Sequence, residues 1–516
     1  MMKRMQMKRL IGWLASLIAV VTCVLLPAIA YGADVAHTDT LGGRWYVVQL
    51  GGHRAGWAHE AQSEAGDGTT TSTSELNISI ERMGRTITIA VRTTFEETAD
   101  GLPIRMSSVQ DMAIMTVLDE YVFDRDHVTH TSTQAGRTTK RIEPTPDGKW
   151  MTPAKAADYV EMKMEAGANK IMYTTLDPSS GLKPVTNTIE IVGPTKIEVV
   201  GKTVPAIEWK VSQSVMPGIT SREFVDAEGR TLKSVFSFGG IEMVMLEADK
   251  EFALSKVEAP ELMAQTLVTP SRPIEHARKL RRAEYVLSIP EGDSIASLNT
   301  GGAQHVERID DRHIRVVVDL DTVQRASEQS ISDARYLDSS TNADGEDPKI
   351  VEIVEQALDG AGDEPRAQAE ALRRFVHGYI EEKSLGVGFA TASEVCRTQE
   401  GDCSEHGVLL AAMLRTAGIP SRVVSGVIYV DRFAGAEGVF GYHMWTQALL
   451  EVDGAKRWVD FDATLPDGTS FDAAHIAMST SSLADGDVIN SMAALVNLLG
   501  RVEIEVVSAE VGEAVK

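Results

Sequence analysis

One cysteine stands where a helix start would make its thiol nucleophilic. Asp402 is a good N-cap and Glu405 completes a capping-box pattern, so Cys403 is predicted to be the first helical residue. Gly418 and Pro420 are predicted to end the helix. A thiolate in the first turn faces unpaired backbone N–H groups and the positive end of the helix dipole, which lower the thiol pKa below its usual value of about 8.5. The alternative role is a small buried core residue.

Two strand-like segments further along the chain, residues 441–452 and 456–465, flank the dipeptide Asp453-Gly454. This dipeptide is favoured in the two-residue turns of β-hairpins. Because such a turn fixes the register of both strands, it also predicts which side chains share a face.

Within that hairpin, His443 is predicted to lie opposite Thr464, with Asp462 diagonally on the same face. Asp460 shares the face but lies one pleat further away. The hairpin therefore predicts Asp462, rather than Asp460, as the carboxylate that orients His443. A three-residue loop would instead turn both aspartates to the other face.

Cys403, His443 and Asp462 supply, in that chain order, what thiol acyl transfer needs. The cysteine is the nucleophile, the histidine is the base that later becomes the acid, and the aspartate is the orienting anion. Taken singly, the histidine also fits a strand residue bonded to a backbone carbonyl, and the aspartate also fits a surface carboxylate. The joint occurrence of the three residues favours catalysis.

Four short segments in this region form recognisable motifs. They are a Gly-x-Cys helix start, a Gly-Ile-Pro-Ser-Arg link, a His-x-Trp strand and a Trp-x-x-x-Asp-x-Thr strand, at residues 401–403, 418–422, 443–445 and 458–464. In this order they resemble the motifs of the transglutaminase-like superfamily of papain-like thiol enzymes. The resemblance covers roughly residues 345–500. Alanine stands at position 463, where many members have proline, and this difference concerns the turn more than the chemistry.

The resemblance implies Cys403, His443 and Asp462 as a catalytic triad that acts on a carboxamide or peptide bond through a thioester, without a cofactor. The expected partner is a protein or peptide substrate. Water as acceptor gives a peptidase or amidase, and a lysine amine gives a cross-linking enzyme. We expect hydrolysis, because water is abundant and nothing in the sequence identifies a pocket that excludes it. A non-catalytic binding or assembly protein with a relic thiol domain is the alternative from another class.

The second oxyanion donor is open. The backbone N–H of Cys403 is one natural donor. Animal transglutaminases add an indole upstream of the nucleophile, but here no tryptophan lies between Trp209 and Trp445. Gln399 and Tyr379 are the candidates, although a turn amide and a helix-packing ring are the simpler roles for them.

His406 suggests a different site, because it follows Cys403 by three residues on nearly the same helical face. With His443 and Asp462 these side chains are suitable zinc ligands. Motif residues such as Arg422 would not be needed for a metal site, and a packed or hydrogen-bonded role is the more common one for such a histidine. We therefore expect no metal.

Cysteine is scarce in this chain, which excludes a disulfide scaffold. Only Cys396 and Cys403 follow the leader described next. Cys396 is predicted to face the core on a short helix that Thr391 and Glu394 begin with a capping pair. A disulfide between the two cysteines, acting as a redox switch, is the alternative.

The N-terminus has the pattern of a secretory signal, predicted to span residues 1–33. Basic residues are followed by an apolar run from 10 to 30 that ends in Ala-Ile-Ala. The expected location is therefore secreted or periplasmic, with an uncleaved membrane anchor as the alternative. The formal net charge of −24 becomes −28 when Lys3, Arg4, Lys8 and Arg9 are removed. Such acidity argues against nucleic acid and anionic membrane surfaces as partners.

The predicted fold class is α+β, with N-terminal antiparallel β-rich domains followed by a papain-like, transglutaminase-like α+β domain. Alternating segments with turn residues between them predict a β-rich domain at 34–255 and a small one at 256–335. The catalytic domain is predicted at 345–507, with mixed helix and loop from 471 to 499. The oligomeric state and the role of the β-rich domains are not predicted.

Overall fold

A computed structural model describes residues 43–512, except 83–84, 112–115, 135–136, 216–219, 239–240, 261–265, 291–294, 296–297, 299–300, 383–389, 434, 485–497 and 499–500. The predicted leader, residues 1–33, lies outside the described residues. Within the part of the chain that is described, no helix is both long enough and apolar enough to cross a bilayer.

The predicted fold class is confirmed. Among the described residues, 50% lie in strands and 19% in helices, and an antiparallel sheet precedes the segment that contains Cys403, His443 and Asp462. The chain divides into two compact units, the first ending at residue 262 and the second beginning at 263.

The first unit is built on one antiparallel sheet of 14 strands, in the order β8-β7-β6-β5-β4-β3-β2-β1-β14-β13-β12-β11-β10-β9. The strands are β1 (Gly43–Leu50), β2 (His53–Glu64), β3 (Thr70–Arg82), β4 (Arg85–Glu97), β5 (Pro103–Asp111), β6 (Thr116–Phe123), β7 (His127–Gln134), β8 (Arg137–Pro144), β9 (Lys170–Thr175), β10 (Val185–Val199), β11 (Lys202–Gln213), β12 (Thr220–Val225), β13 (Thr231–Phe238) and β14 (Ile241–Ala248). The described part of this unit also contains the helices α1 (Pro153–Glu165) and α2 (Lys250–Leu254).

Part of the buried face of this sheet is polar. Glu60 pairs with Ser74, Ser74 with Thr93 and Thr93 with Ser108, so one buried polar row crosses β2 to β5. Glu223 on β12 is also buried. Burial raises the pKa of Glu60 to about 7, and the negative charge of Glu223 adds to the effect.

The described residues of the second unit form two four-stranded antiparallel sheets. One has the order β16-β17-β15-β22, with β15 (Leu280–Ser288), β16 (Gln304–Arg308), β17 (His313–Asp319) and β22 (Glu503–Val511). The other has the order β20-β19-β18-β21, with β18 (Ser421–Phe433), β19 (Ala436–Val452), β20 (Ala455–Phe461) and β21 (His475–Ser481). The helices described in the second unit are α3 (Glu328–Ser332), α4 (Pro348–Leu358), α5 (Pro365–Tyr379), α6 (Ala392–Thr398) and α7 (Cys403–Thr416).

Both sheets of the second unit contribute to one hydrophobic core. Tyr285 on β15 packs edge-on against Phe440 on β19, with ring centroids 5.8 Å apart, and Ile476 on β21 joins the same cluster. The second unit thus includes residues from both segments predicted as the small β-rich and catalytic domains. The boundaries proposed from the sequence stay predictions.

Candidate active site

Helix α7 begins at Cys403, as the capping pattern predicts. The Asp402 carboxylate accepts a hydrogen bond from the backbone N–H of Ser404 at 3.0 Å, and the backbone N–H of Asp402 donates to Glu405 at 3.0 Å. The two bonds form a complete capping box. Cys403 is partly exposed, whereas the next twelve helical residues are buried. The thiol therefore lies on the first turn, where the helix dipole favours an anion.

Glu405 belongs to the structure of this helix start. Its carboxyl group is fully buried and also accepts from the backbone N–H of Ala390 at 3.0 Å. Burial first, and then the charge of Asp402, raise the pKa of Glu405 well above its ordinary value. The carboxyl group thus keeps its proton to higher pH than an exposed glutamate, which limits the negative charge beside Cys403.

The hairpin that carries His443 has the predicted register. Val452 pairs with Ala455 across the turn. Asp453 and Gly454 have φ values of +50° and +69°, so both central residues have the positive φ that a type I′ turn requires. The two-residue turn, rather than a three-residue loop, sets which faces meet.

The register brings Asp462 to His443. His443 Nε2 lies 2.8 Å from Asp462 Oδ2, and both side chains are buried. Oδ1 of the same carboxylate accepts from the backbone N–H and the hydroxyl of Thr464, at 2.8 and 2.7 Å. Asp460 instead accepts the indole N–H of Trp445 at 2.8 Å. Each of the two aspartates therefore has its own partner.

His475, which the sequence analysis did not single out, is a second histidine on the same carboxylate. Its Nε2 lies 3.3 Å from Asp462 Oδ2. Its Nδ1 lies 3.0 Å from the carbonyl oxygen of Asp472 and 3.2 Å from that residue's Oδ1. Burial by itself would lower the pKa of His475, but Asp472 and Asp462 outweigh it and raise the pKa to about 9.

The carboxylate between the two histidines stays ionised. Complete burial would raise the pKa of Asp462, but His443 and His475 lower it well below its ordinary range. An acid with two positive or donating neighbours in the interior is an anion throughout the neutral range. It can therefore hold a histidine ring in one orientation and stabilise its protonated form.

Packed rings fix these histidines. Phe471 stacks on His475 with centroids 4.2 Å apart, and Trp445 meets the same ring edge-on at 5.3 Å. Trp445 also lies nearly parallel to His443 at 6.1 Å. The tryptophan of the His-x-Trp motif thus contacts both histidine rings while its N–H is held by Asp460.

The segment that carries His475 corrects one expectation. Residues from 471 onward were predicted to mix helix and loop, but β21 forms a strand from His475 to Ser481. Six of its seven residues are buried. A strand buried on both faces lacks the period-2 alternation by which exposed strands are recognised, so the sequence pattern does not distinguish it.

The remaining candidates are placed as follows. The hydroxyl of Tyr379 donates to the carbonyl oxygen of Cys396 at 2.7 Å, and Gln399 caps α6 with a φ of +56°. An oxyanion role for either residue stays a prediction.

Cys396 is buried and Cys403 is partly exposed, and both are thiols, with no disulfide between them in the described chain. Burial raises the pKa of the Cys396 thiol.

His406 does not join the histidine–aspartate cluster. Its Nδ1 lies 2.5 Å from the carbonyl oxygen of Asp402, within the first turns of its own helix. Over the described residues, the group whose ligand atoms could surround a metal ion is His443, Asp462 and His475, with all three atoms within 4.8 Å of one another. The direct contacts of both histidines with the carboxylate already account for that proximity.

Comparison with known proteins identifies the domain that contains this site. A family model described as the transglutaminase-like superfamily matches residues 352–463, which include Cys403, His443 and Asp462. None of the curated proteins matches the chain.

Several solved structures are similar at low identity. A β-barrel-like protein with a domain of unknown function from Brucella abortus is 15% identical over 40% of this chain and 95% of its own, with a TM-score of 0.31. A candidate cysteine protease from Cytophaga hutchinsonii is 14% identical over 45% of this chain and 87% of its own, with a TM-score of 0.27. A candidate protease from Parabacteroides distasonis is 11% identical over 80% of this chain and 70% of its own, with a TM-score of 0.18. The chain thus contains a domain of the transglutaminase-like superfamily, matched at residues 352–463.

Proposed function

We propose that this protein is an exported thiol enzyme that hydrolyses a carboxamide or peptide bond with Cys403, His443 and Asp462. One observation carries the proposal: in a transglutaminase-like domain, the 2.8 Å contact between His443 and Asp462 accompanies a cysteine at the first residue of a helix. The substrate class is a protein or peptide. Export is proposed from the leader sequence.

The first half of the reaction would form a thioester. His443 takes the proton of the Cys403 thiol, and the sulfur attacks the carbonyl carbon. The C–N bond then breaks, and His443 passes the same proton to the departing amine. Because Nε2 of His443 is directed at Asp462, Nδ1 is the nitrogen suited to exchange a proton with the thiol and the amine. The backbone N–H of Cys403 is proposed as one donor to the developing oxyanion.

The second half of the reaction would hydrolyse the thioester and regenerate the free enzyme. His443 takes a proton from water as the oxygen attacks the thioester carbonyl carbon. The C–S bond then breaks, the carboxylic acid product leaves, and His443 returns the proton to the Cys403 sulfur. Asp462, ionised between its partners, favours the imidazolium form that appears in each half. A primary amine in place of water would give a cross-linked product, and this is the alternative acceptor.

The test joins nucleophile mapping with product analysis. The full-length protein is incubated with a peptide library, with and without a labelled primary amine, and products are identified by mass spectrometry. In parallel, iodoacetamide labelling shows which cysteine reacts. We expect labelling at Cys403 together with new peptide termini or carboxamide side chains converted to acids, and both labelling and products should be lost in Cys403→Ala.

Cys396→Ala is the matched control, because Cys396 is buried and the mechanism does not use it. It should retain both labelling at Cys403 and product formation. If amine-linked products form in place of hydrolysis products, the reaction is acyl transfer to an amine rather than hydrolysis. Equal product formation by Cys403→Ala would overturn the thiol mechanism.

A further inference from the structure

A chain of alternating charges ends on the proposed catalytic histidine. Arg278 Nη1 lies 2.8 Å from Asp472 Oδ2. Asp472 Oδ1 lies 3.2 Å from His475 Nδ1, and His475 Nε2 lies 3.3 Å from Asp462 Oδ2. The same Asp462 oxygen lies 2.8 Å from His443 Nε2.

The inner members of this chain are shielded from solvent. The side chains of His475 and Asp462 are 0% exposed, and that of Asp472 is 2% exposed. Water cannot substitute freely for a missing partner at such depth, and charges interact more strongly there than at the surface. Removal of one of these side chains therefore leaves the charge of its neighbour buried without that partner.

The residues of this charge chain come from segments that are far apart in the sequence. His475 begins β21, which pairs with β18, whereas Asp462 follows β20 at the other edge of the same sheet. Arg278 belongs to a short 3₁₀ turn, Ala277–Lys279. Arg278, Asp472 and His475 all lie outside the 352–463 segment that matches the superfamily. These three residues thus extend the proposed triad, and they belong to segments on either side of the matched region.

We propose, on the basis of the function proposed above, that His475 is a positioning residue. Asp472 holds His475 in its protonated imidazolium form, and His475 in turn keeps Asp462 ionised and oriented toward His443. Two donors on Oδ2 and the two bonds from Thr464 on Oδ1 fix the carboxylate completely. Asp472 and Phe471 fix the His475 ring in turn.

The expected effect of His475 is greatest at acidic pH. Without its charge, buried Asp462 would take up a proton at higher pH, because burial favours the neutral acid. A protonated Asp462 no longer supports the His443 imidazolium, so the Cys403 thiolate would form only at higher pH. Groups facing His475 directly or through Asp472 are, among the described residues, Asp462, Asp472, His443, Arg278 and Tyr285.

The experiment measures the rate of Cys403 alkylation by iodoacetamide from acidic to alkaline pH in the full-length protein. We expect the acid limb of the profile to move up by about one pH unit in His475→Leu, which is about a tenfold loss of rate on that limb. His475→Gln keeps an N–H donor without the charge, so it should recover part of the rate. At alkaline pH, where the thiol ionises without help, all variants should react at similar rates.

His313→Gln is the matched control. His313 also contacts an aspartate, with Nδ1 2.8 Å from Asp310, but its side chain is 37% exposed and lies in the other sheet. Its profile should coincide with that of the unmodified protein. A role of His475 in folding alone would lower the rate equally at every pH, and circular dichroism spectra identify variants that do not fold.

The outcomes separate the two proposals. If Cys403 of the unmodified protein shows no enhanced reactivity at acidic pH, both the proposed function and the role of His475 are overturned. If Cys403 is reactive but His475→Leu or, should that variant not fold, His475→Gln has an unchanged profile, only the positioning role is overturned. A shifted acid limb with partial recovery by glutamine supports it.

Discussion

Trp445 donates its indole N–H to Asp460 at 2.8 Å, while two residues further along, Asp462 contacts His443. Asp460 also accepts from the side-chain amide of Gln447 at 2.7 Å, and burial raises its pKa. The two aspartates therefore have different roles: Asp460 fixes the tryptophan that packs on the histidines, and Asp462 contacts the histidines themselves.

Asparagine substitution should distinguish these roles. Asp462→Asn should lower kcat/KM by about 10³ to 10⁴, because it removes the anion that supports the His443 imidazolium. Asp460→Asn keeps an oxygen acceptor for the indole, so we expect a loss of less than about tenfold and a small decrease in stability. The measurement is peptide hydrolysis, together with urea unfolding of both variants. Equal losses of kcat/KM would contradict the division between the two residues.

Glu405 should tolerate glutamine but not alanine. Alanine leaves the backbone N–H groups of Asp402 and Ala390 without their acceptor in the interior, which should cost about 2 to 4 kcal/mol of unfolding free energy. Glutamine keeps an acceptor oxygen and resembles the protonated acid.

The pH dependence follows from the direction of the pKa shift. Because the pKa of folded Glu405 is raised, its stabilising effect is present below the unfolded pKa and is lost as pH rises through the folded pKa. Urea unfolding at several pH values should therefore show that Glu405→Gln gains relative stability as pH rises. A constant difference across the pH range would argue that Glu405 is ionised in the fold.

The buried acids of the first unit should make it less stable at alkaline pH. Burial raises the pKa of Glu60 and of Glu223 to about 7. Since both are raised from 4.5, the stability that the protonated forms provide is complete below pH 4.5 and is lost as pH rises to about 7. Each group should cost on the order of 3 kcal/mol above that range.

Glutamine at either position should remove the part of this pH dependence that its own carboxyl group causes, and should stabilise the unit at pH 8. The measurement is pulse proteolysis in urea, with mass spectrometry of peptides from β2 and β12 so that the first unit is followed by itself. Glu198→Gln is the control, because Glu198 is exposed on β10. If Glu60→Gln and Glu223→Gln are no more stable at pH 8 than the control, the acids are not buried as protonated groups.

A side chain at position 302 should disturb the Asp460 network. A Cβ on Gly302 would approach Gln447 Nε2 to 2.5 Å and Asp460 Oδ2 to 2.8 Å, and the φ of +62° is itself unfavourable for alanine. Gly360→Ala is a matched control, because Gly360 has a φ of +77° but open space around it. Both variants should lose about 1 kcal/mol from φ. Gly302→Ala should lose about 1 to 3 kcal/mol more through steric strain.

Thermal unfolding of both glycine variants measures the difference, and tryptophan fluorescence, to which Trp445 contributes with six other tryptophans, detects changes around the indoles. Equal stability of the two variants would contradict the close approach of Gly302 to the hairpin. A changed emission spectrum in Gly302→Ala alone would support the path from position 302 through Asp460 to the tryptophan.

Local interactions made much of the site predictable. The capping box of Asp402 and Glu405 spans four residues, so the sequence alone locates the start of α7. The turn at Asp453 and Gly454 likewise sets the hairpin register, which is sufficient to select Asp462 over Asp460. In both cases the residues that determine the geometry lie close together along the chain.

Other features depended on the tertiary structure. Strand β22 pairs with β15, and this pairing joins residues more than 200 positions apart. His475 belongs to a strand without alternation, and its partner Asp472 is held by Arg278 from far upstream. From the sequence alone we could predict the capped helix, the hairpin and the approach of Asp462 to His443, because short-range hydrogen bonds and turn geometry decide them. The second histidine on Asp462 and its supporting charges were decided by packing between distant segments, for which local patterns carry no signal.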